Sequence, residues 1–217
     1  MATAKIGLKT LSVSLLAILL IETVIRLLVS AFPVYPMAIL GIARIAEAVA
    51  ILTIVQHFNK GAWSLRPTAS WFVTGCKAGL IWSAGFGLIT VVIFVILLAI
   101  GVNPLDYIRA PMPIGAVDIA LLFLVGGILS PAAEEIFFRG ILYGYFRRWG
   151  IAAAVILSTL MFAIAHAGGS QIPVTQLIGG LVFAIAYERE DNLMVPIIIH
   201  ILGNTALFSI GYVLQFG

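Results

Sequence analysis

Long apolar segments alternate with short polar segments along this chain. A helix needs about 20 apolar residues to cross the hydrocarbon core of a bilayer, at about 1.5 Å of rise per residue. Seven segments meet this pattern, and turns rich in proline, glycine and charged residues separate them. The predicted helices cover about residues 8–30, 37–58, 71–100, 114–146, 150–167, 172–187 and 193–215. The pattern predicts an all-α fold, a polytopic transmembrane helical bundle in which residues 1–217 form a single membrane-embedded domain.

The fourth of these segments, residues 114–146, is longer than one upright span requires. Its 33 residues would reach about 50 Å as a continuous helix. Pro131 lies in its middle, and a proline removes a backbone donor and kinks a helix. The segment therefore predicts either one bent helix or a span followed by a second helix, so we expect seven or eight spans.

The composition agrees with a membrane location. Hydrophobic residues make up 62% of the chain and charged residues only 10%, whereas soluble domains carry roughly 25% charged residues. A water-soluble fold of this size lacks the interior volume to bury so much apolar sequence. The net charge is only +3 and the basic residues are scattered, which argues against a nucleic-acid partner. The single cysteine, Cys76, excludes an internal disulfide.

The basic residues predict an orientation. They lie in alternate loops, as the pairs Lys5 and Lys9, Lys60 and Arg66, and Arg147 and Arg148. Cytoplasmic loops of membrane proteins carry an excess of lysine and arginine. We therefore expect a cytoplasmic N-terminus, and the short loops and composition suggest the inner membrane of a bacterium.

Two adjacent carboxylates, Glu134 and Glu135, stand in the apolar fourth segment, followed by Arg139. An ionisable group at bilayer depth costs about 2.5–3.5 kcal/mol and usually faces a bundle interior or a wet cavity. Glu135 and Arg139 are four residues apart on a helix, so they share a face and can form a salt bridge. Glu134 points about 100° away from that face. A structural salt bridge thus explains Glu135 but not Glu134, which suits a general base.

Further polar residues lie late in the apolar helices. Phe162 and His166 are four residues apart, as are His200 and Asn204. Taken alone, a helical histidine or asparagine is more typical of helix packing than of catalysis. Their coincidence with the two glutamates and Arg139 in three late helices favours a shared site.

Three motifs carry a resemblance to a known family. They are "EEIFFR" at 134–139, "FAIAH" at 162–166 and "HILGN" at 200–204. In this order on a polytopic chain they resemble the CPBP (CAAX protease/Abi) family of intramembrane glutamic endopeptidases, which includes the CAAX prenyl proteases. The resemblance covers about residues 115–210, and it implies that the catalytic helices lie within about 114–215.

The resemblance implies a role for each motif residue. Glu134 and His166 would activate water, and His200 and Asn204 would stabilise the oxyanion. The implied supporting residues are Glu135, Arg139 and Phe162. The expected activity is hydrolysis of a peptide bond in a membrane-proximal peptide or C-terminal segment, without a cofactor. The expected partners are a membrane-associated peptide or protein substrate and the lipid bilayer.

A zinc-dependent intramembrane metalloprotease is one alternative. Glu134, His166 and His200 could supply three ligands and leave one position open, as catalytic zinc requires. The HExxH motif is absent, however, and the neutral Asn204 is a poor zinc ligand.

A transporter or proton relay is an alternative of another class. Such proteins also carry buried acidic, basic and histidine side chains. The first two segments add Glu22 with Arg26, and Arg44 with Glu47, which we expect to form ion pairs. Arg26 and Arg44 could also hold a substrate carboxylate. A transporter would more typically show paired halves with broken helices, and the sequence shows no internal repeat.

Overall fold

The computed structural model describes residues 6–31, 36–59, 68–105, 112–167 and 173–217. These residues form seven helices, and the all-α prediction is confirmed. The helices are α1 Leu8–Ala31, α2 Pro36–Phe58, α3 Ala69–Ala99, α4 Ala116–Trp149, α5 Ile151–Ala165, α6 Val174–Glu190 and α7 Met194–Phe216. Their positions follow the apolar segments closely, because a segment in lipid must satisfy its backbone hydrogen bonds within its own helix.

Helix α4 shows whether Pro131 divides the fourth apolar segment into two helices. It runs as one helical segment of 34 residues, so the described ranges contain no separate eighth helix. Wider π-type turns occupy Leu122–Leu129 and Ile136–Tyr143, on either side of the α-helical turn Ser130–Glu135 that contains the proline. Such turns commonly lie at functional sites in helices.

Helix α4 lies at the centre of the bundle. It contacts α1, α2, α5, α6 and α7. The main apolar core forms around it, from the side chains of Ile51, Val55, Phe138, Ile141, Leu142, Phe162, Phe183, Val195 and Ile199. A charged residue in the middle of α4, such as Glu135 or Arg139, is therefore surrounded by other helices rather than by lipid.

Helix α3 packs against α7 through two glycines. A Cβ atom at Gly75 would lie 2.6 Å from Met194 Cβ, and one at Gly79 would lie 2.7 Å from Ile198 Cβ. The spacing of these glycines is the GxxxG pattern of closely packed membrane helices. Beyond them α3 is exposed, and a Cβ at Gly85 or Gly87 would meet nothing within 4 Å.

Five of the seven helices are long and apolar enough to cross a membrane. The remaining two, α5 and α6, have 15 and 17 residues. Large apolar side chains cover the outside of the bundle, including Ile81 at 73% exposure and Leu88 at 67%. The chain is an integral membrane protein, because only lipid can accommodate such a surface.

Candidate active site

The Glu134 carboxylate faces both late histidines. Its Oε2 lies 3.4 Å from Nε2 of His166 and 3.8 Å from Nε2 of His200. The three residues come from α4, the end of α5 and α7. This oxygen is buried and has no hydrogen-bond partner in the protein. Because buried polar atoms are almost always hydrogen-bonded, such an oxygen marks a place where a further donor is expected.

Glu135 has different surroundings. Its Oε1 accepts hydrogen bonds from Arg139 at 3.0 Å and from Nδ1 of His200 at 2.9 Å. Arg139 also donates to the backbone carbonyl oxygen of Gly180 on α6, at 3.0 Å. The side chains of Glu135 and Arg139 are both fully buried. Through the bonds to Gly180 and His200, this salt bridge of α4 connects α4 to α6 and α7, which is a structural role.

Each histidine uses Nδ1 for a contact with a backbone or carboxylate oxygen, and its Nε2 faces Glu134. Nδ1 of His166 lies 2.8 Å from the carbonyl oxygen of Phe162, and Nδ1 of His200 contacts Glu135. A carbonyl or carboxylate oxygen can only accept, so each Nδ1 carries a hydrogen. The Nε2 atom of each ring is therefore free of these bonds and faces Glu134.

Aromatic rings enclose the buried side of the site. The ring of Phe183 stacks on His200 at 4.7 Å between centroids, with the planes 23° apart. Phe162 lies 4.4 Å from the His166 ring. The Arg139 guanidinium lies 4.9 Å from the centre of the Phe162 ring and 5.2 Å from that of Phe183. These contacts restrict the imidazoles and the guanidinium to one orientation.

Asn204 lies one turn beyond His200 on α7. Its Nδ2 donates to the carbonyl oxygen of Gly126 on α4, at 2.9 Å. An amide nitrogen carries two hydrogens, so one remains for another acceptor. The close approach of these helices uses glycine, since a Cβ at Gly126 would lie 3.1 Å from Phe208.

Exposure falls steeply across the site. The side chains of His166 and Glu134 are 30% and 17% exposed, whereas those of Glu135 and Arg139 are at 0%. The Glu134 and His166 side of the cluster is therefore the more exposed one. The buried side is closed by packed helices.

Three charged residues of α1 and α2 form one cluster. Arg44 bonds Glu22 on α1 at 2.5 Å and Glu47 on its own helix at 2.6 Å. The expected Arg44–Glu47 pair is present. Glu22 pairs with Arg44 on the neighbouring helix, in place of the expected Arg26, because the helix packing brings the two side chains together.

The zinc alternative would use Glu134, His166 and His200. In the part of the chain that the structure describes, no group of three or more His, Cys, Asp or Glu side chains is arranged as metal ligands. The zinc alternative therefore gains no support from this geometry.

Six of the seven motif residues thus contact one another in one cluster. Asn204 lies one helical turn from His200 and bonds Gly126. Three contacts of this cluster have no signal in the sequence: the Glu135–His200 hydrogen bond, the Gly180 carbonyl under Arg139, and Phe183 stacked on His200. Each joins residues that are far apart along the chain, and only the packing of α4, α6 and α7 brings them together.

Comparison with known proteins agrees with the three motifs. The profile of the Rce1-like family, described as type II CAAX prenyl endopeptidase Rce1-like, matches residues 116–206. This stretch contains every motif residue. Over residues 116–206 the chain is therefore similar to CAAX-type membrane peptidases, in agreement with the resemblance that the three motifs carry.

Several curated proteins are similar to the same part of the chain. The membrane-embedded CAAX protease MroQ of Staphylococcus aureus (strain USA300) is 37% identical over 84 residues, which are 36% of this chain and 34% of that protein. YdiL of Bacillus subtilis (strain 168), described as a candidate membrane peptidase, is 32% identical over 88 residues, which are 40% of this chain and 36% of that protein. An uncharacterized 24.3 kDa protein of Escherichia coli is 30% identical over 93 residues, which are 41% of this chain and 43% of that protein.

The matched part covers between 34% and 43% of these relatives' own length. No solved structure matches the chain.

Proposed function

We propose that this protein is an intramembrane endopeptidase of the glutamic type, which hydrolyses a peptide bond near or within the membrane. The observation that carries the proposal is the buried Oε2 of Glu134. It accepts no hydrogen bond from the protein and faces Nε2 of two histidines. A carboxylate and an imidazole that face each other across a small gap suit the activation of a water molecule.

In the proposed first step, Glu134 takes a proton from a water molecule held between its carboxylate and His166. The resulting hydroxide attacks the carbonyl carbon of the scissile peptide bond. The tetrahedral intermediate then collapses, the C–N bond breaks, and Glu134 passes its proton to the leaving amine. One water is consumed, and one carboxylic acid and one amine are formed.

His200 and Asn204 stabilise the developing oxyanion in this proposal. Nε2 of His200 lies on the Glu134 side of the ring and donates in the imidazolium form, in which Nδ1–H keeps its bond to Glu135. Asn204 keeps one amide hydrogen after its bond to Gly126. A well-placed donor of this kind contributes about 3–4 kcal/mol to the transition state. Glu135 and the Phe183 ring support the function indirectly, because they hold His200 in place.

The proposed substrate is a peptide segment that reaches the site from the membrane or its surface. MroQ is named a CAAX protease, and the matching family is named for CAAX prenyl endopeptidases. By analogy, we propose a membrane-proximal peptide or C-terminal segment as the substrate. The enzyme would act in a bacterial inner membrane with its N-terminus in the cytoplasm.

Co-expression with candidate membrane precursors tests this function. Glu134→Ala should lower the yield of the cleavage product by about 10²–10⁴-fold, because the general base is lost. Asp118→Ala is the matched control, since it removes an exposed acid from the same helix and should leave cleavage unchanged. Full cleavage by Glu134→Ala would refute the proposal.

The same assay addresses the two alternatives. Cleavage by the purified protein that survives a strong chelator would exclude the zinc mechanism. A cleavage product that depends on Glu134 would exclude a protein that only transports ions or solutes.

A further inference from the structure

The backbone carbonyl oxygen of Gly126, in the interior of α4, accepts a hydrogen bond from another helix. The donor is Nδ2 of Asn204 on α7, at 2.9 Å. A carbonyl in the interior of a helix normally has its partner in the same helix, in the N–H group four residues later. The local hydrogen bonding of α4 explains why the oxygen of Gly126 bonds a side chain instead.

The π-type turn Leu122–Leu129 shifts the backbone bonds of α4 by one residue. In such a turn each N–H group bonds the carbonyl oxygen five residues earlier, and the N–H group of Ser130 accordingly donates to Val125. The next carbonyl, that of Gly126, would take its bond from residue 131. That residue is Pro131, which has no N–H group. Within α4, a helix that the structure describes in full, no N–H group is therefore in register with this oxygen.

Asn204 supplies the missing donor because α7 lies directly against this part of α4. A Cβ at Gly126 would lie 3.1 Å from the Phe208 ring, and one at Gly127 would lie 3.4 Å from Oγ1 of Thr205. An unpaired carbonyl is costly inside a membrane, where no water replaces the lost bond. Since a carbonyl can only accept, it also decides which end of the Asn204 amide faces α4.

We propose that Pro131 is a positioning residue of the active site: because it lacks an N–H group, it leaves the Gly126 carbonyl to Asn204 and so fixes the orientation of the Asn204 amide. One amide hydrogen bonds this carbonyl, and the other remains for the oxyanion of the substrate. This inference rests on the proposed function, in which Asn204 is an oxyanion donor. It gives Pro131 a role beyond that of bending α4.

A purely structural role of Pro131 makes a different prediction. If Pro131 only shapes α4, the effect of Pro131→Ala should be the same whether or not Asn204 is present. If Pro131 acts through Asn204, the N–H group that Pro131→Ala introduces competes for the Gly126 carbonyl, and the two residues are coupled. A double-mutant cycle of Pro131→Ala and Asn204→Ala separates the two cases.

Thermal melting of the full chain in detergent tests the coupling without a substrate. Pro131→Ala should melt at or above the temperature of the wild type, because a proline inside a helix costs a hydrogen bond. Asn204→Ala should lower the melting temperature by about 2 °C more in the wild type than in Pro131→Ala, since only the former then has an unpaired Gly126 carbonyl. Equal losses in the two backgrounds would overturn the proposal.

Cleavage of a fluorogenic peptide, with the sequence that is cleaved in co-expression, tests the consequence for the rate. Pro131→Ala should lower kcat about tenfold or more and leave KM within about twofold, because an oxyanion donor acts on the transition state. In the Asn204→Ala background the same substitution should change kcat by less than about twofold. A wild-type kcat in Pro131→Ala, or an equal loss in both backgrounds, would also overturn the proposal.

A rescue and a control complete the experiment. Lactic acid, the hydroxy-acid analogue of alanine, incorporated at position 131 removes the N–H group without the proline ring, and it should restore kcat to within about threefold of the wild type. Failure of this rescue would contradict the proposal. Pro36→Ala is the control, because Pro36 is the exposed first residue of α2, where an N–H group has no helical partner, and its kcat should be unchanged.

The two proposals fail separately. Activity that survives Glu134→Ala would refute the proposed function, and the melting cycle would still decide whether Pro131 acts on Asn204.

Discussion

Two glutamates that are neighbours in the chain have opposite surroundings in this fold. Glu135 is fully buried and bonded to Arg139 and His200. Glu134 is partly exposed and faces two imidazoles. The helical twist of about 100° per residue causes this difference. One carboxylate is built into the packing, and the other is left able to react.

This difference predicts separable effects of two conservative substitutions. Glu135→Gln leaves Arg139 buried without a countercharge, which typically costs about 3–5 kcal/mol of stability. It should therefore lower the melting temperature strongly and impair the rate less completely. Glu134→Gln should abolish the rate and leave the melting temperature near that of the wild type.

Thermal unfolding and cleavage assays on the two purified variants test this prediction. Glu190→Gln serves as a control, because Glu190 is exposed at the end of α6. Equal melting temperatures for Glu134→Gln and Glu135→Gln would contradict it.

At the scale of elements, the contact between α3 and α7 depends on side-chain volume. The spacing of Gly75 and Gly79 is a readable signal for this contact, but no prediction above used it. Helix α7 carries His200 and Asn204, so a shift at its first half would also displace the site. Close packing of two backbones leaves no room for a larger residue.

A matched pair of glycine substitutions on α3 tests the contact. Gly79→Leu should destabilise the protein by about 1–3 kcal/mol or more, because its Cβ would lie 2.7 Å from Ile198. Gly87→Leu should have no such effect, since a Cβ there meets nothing within 4 Å. Thermal melting in detergent measures both. If the two variants melt together, the α3–α7 contact contributes nothing to stability.

At the scale of the whole molecule, the short helices α5 and α6 define the depth of the site. Helix α5 ends at Ala165, directly before His166, after about 22 Å of helix. His166 thereby reaches the level of Glu134 from the end of the bundle that carries Arg147 and Arg148. The same basic end is the one expected in the cytoplasm.

Cysteine labelling tests this orientation. In a Cys76→Ser background, a cysteine at Trp149 should react with an impermeant maleimide only from the cytoplasmic side. A cysteine at Ile114 should react only from the opposite side. Both positions are exposed, at 59% and 87%, and the positive-inside rule gives the expected direction. The reverse pattern would invert the topology, and with it the side from which substrates approach.

Much of this architecture could be predicted from the sequence. The apolar segments predicted the seven helices, since a backbone in lipid has to satisfy its own hydrogen bonds. The spacing of Glu135 and Arg139 predicted their salt bridge, and the ordered motifs predicted the similarity to CAAX-type peptidases over residues 116–206. All of these depend on local periodicity or on short motifs, which can be read along one chain. The roles of the site residues and the orientation in the membrane stay predictions.

The sequence by itself determined the membrane bundle, the position of each helix and the set of polar residues that its late helices contain. Only the tertiary structure decided which polar residues meet. Glu134 meets two histidines, His200 meets Glu135, and Glu22 on α1 pairs with Arg44 on α2 rather than with Arg26. The physical reason is distance along the chain. A helix repeats every 3.6 residues and so fixes contacts between near neighbours. Contacts between helices depend on which side chains of distant segments pack together, and local periodicity does not specify those partners.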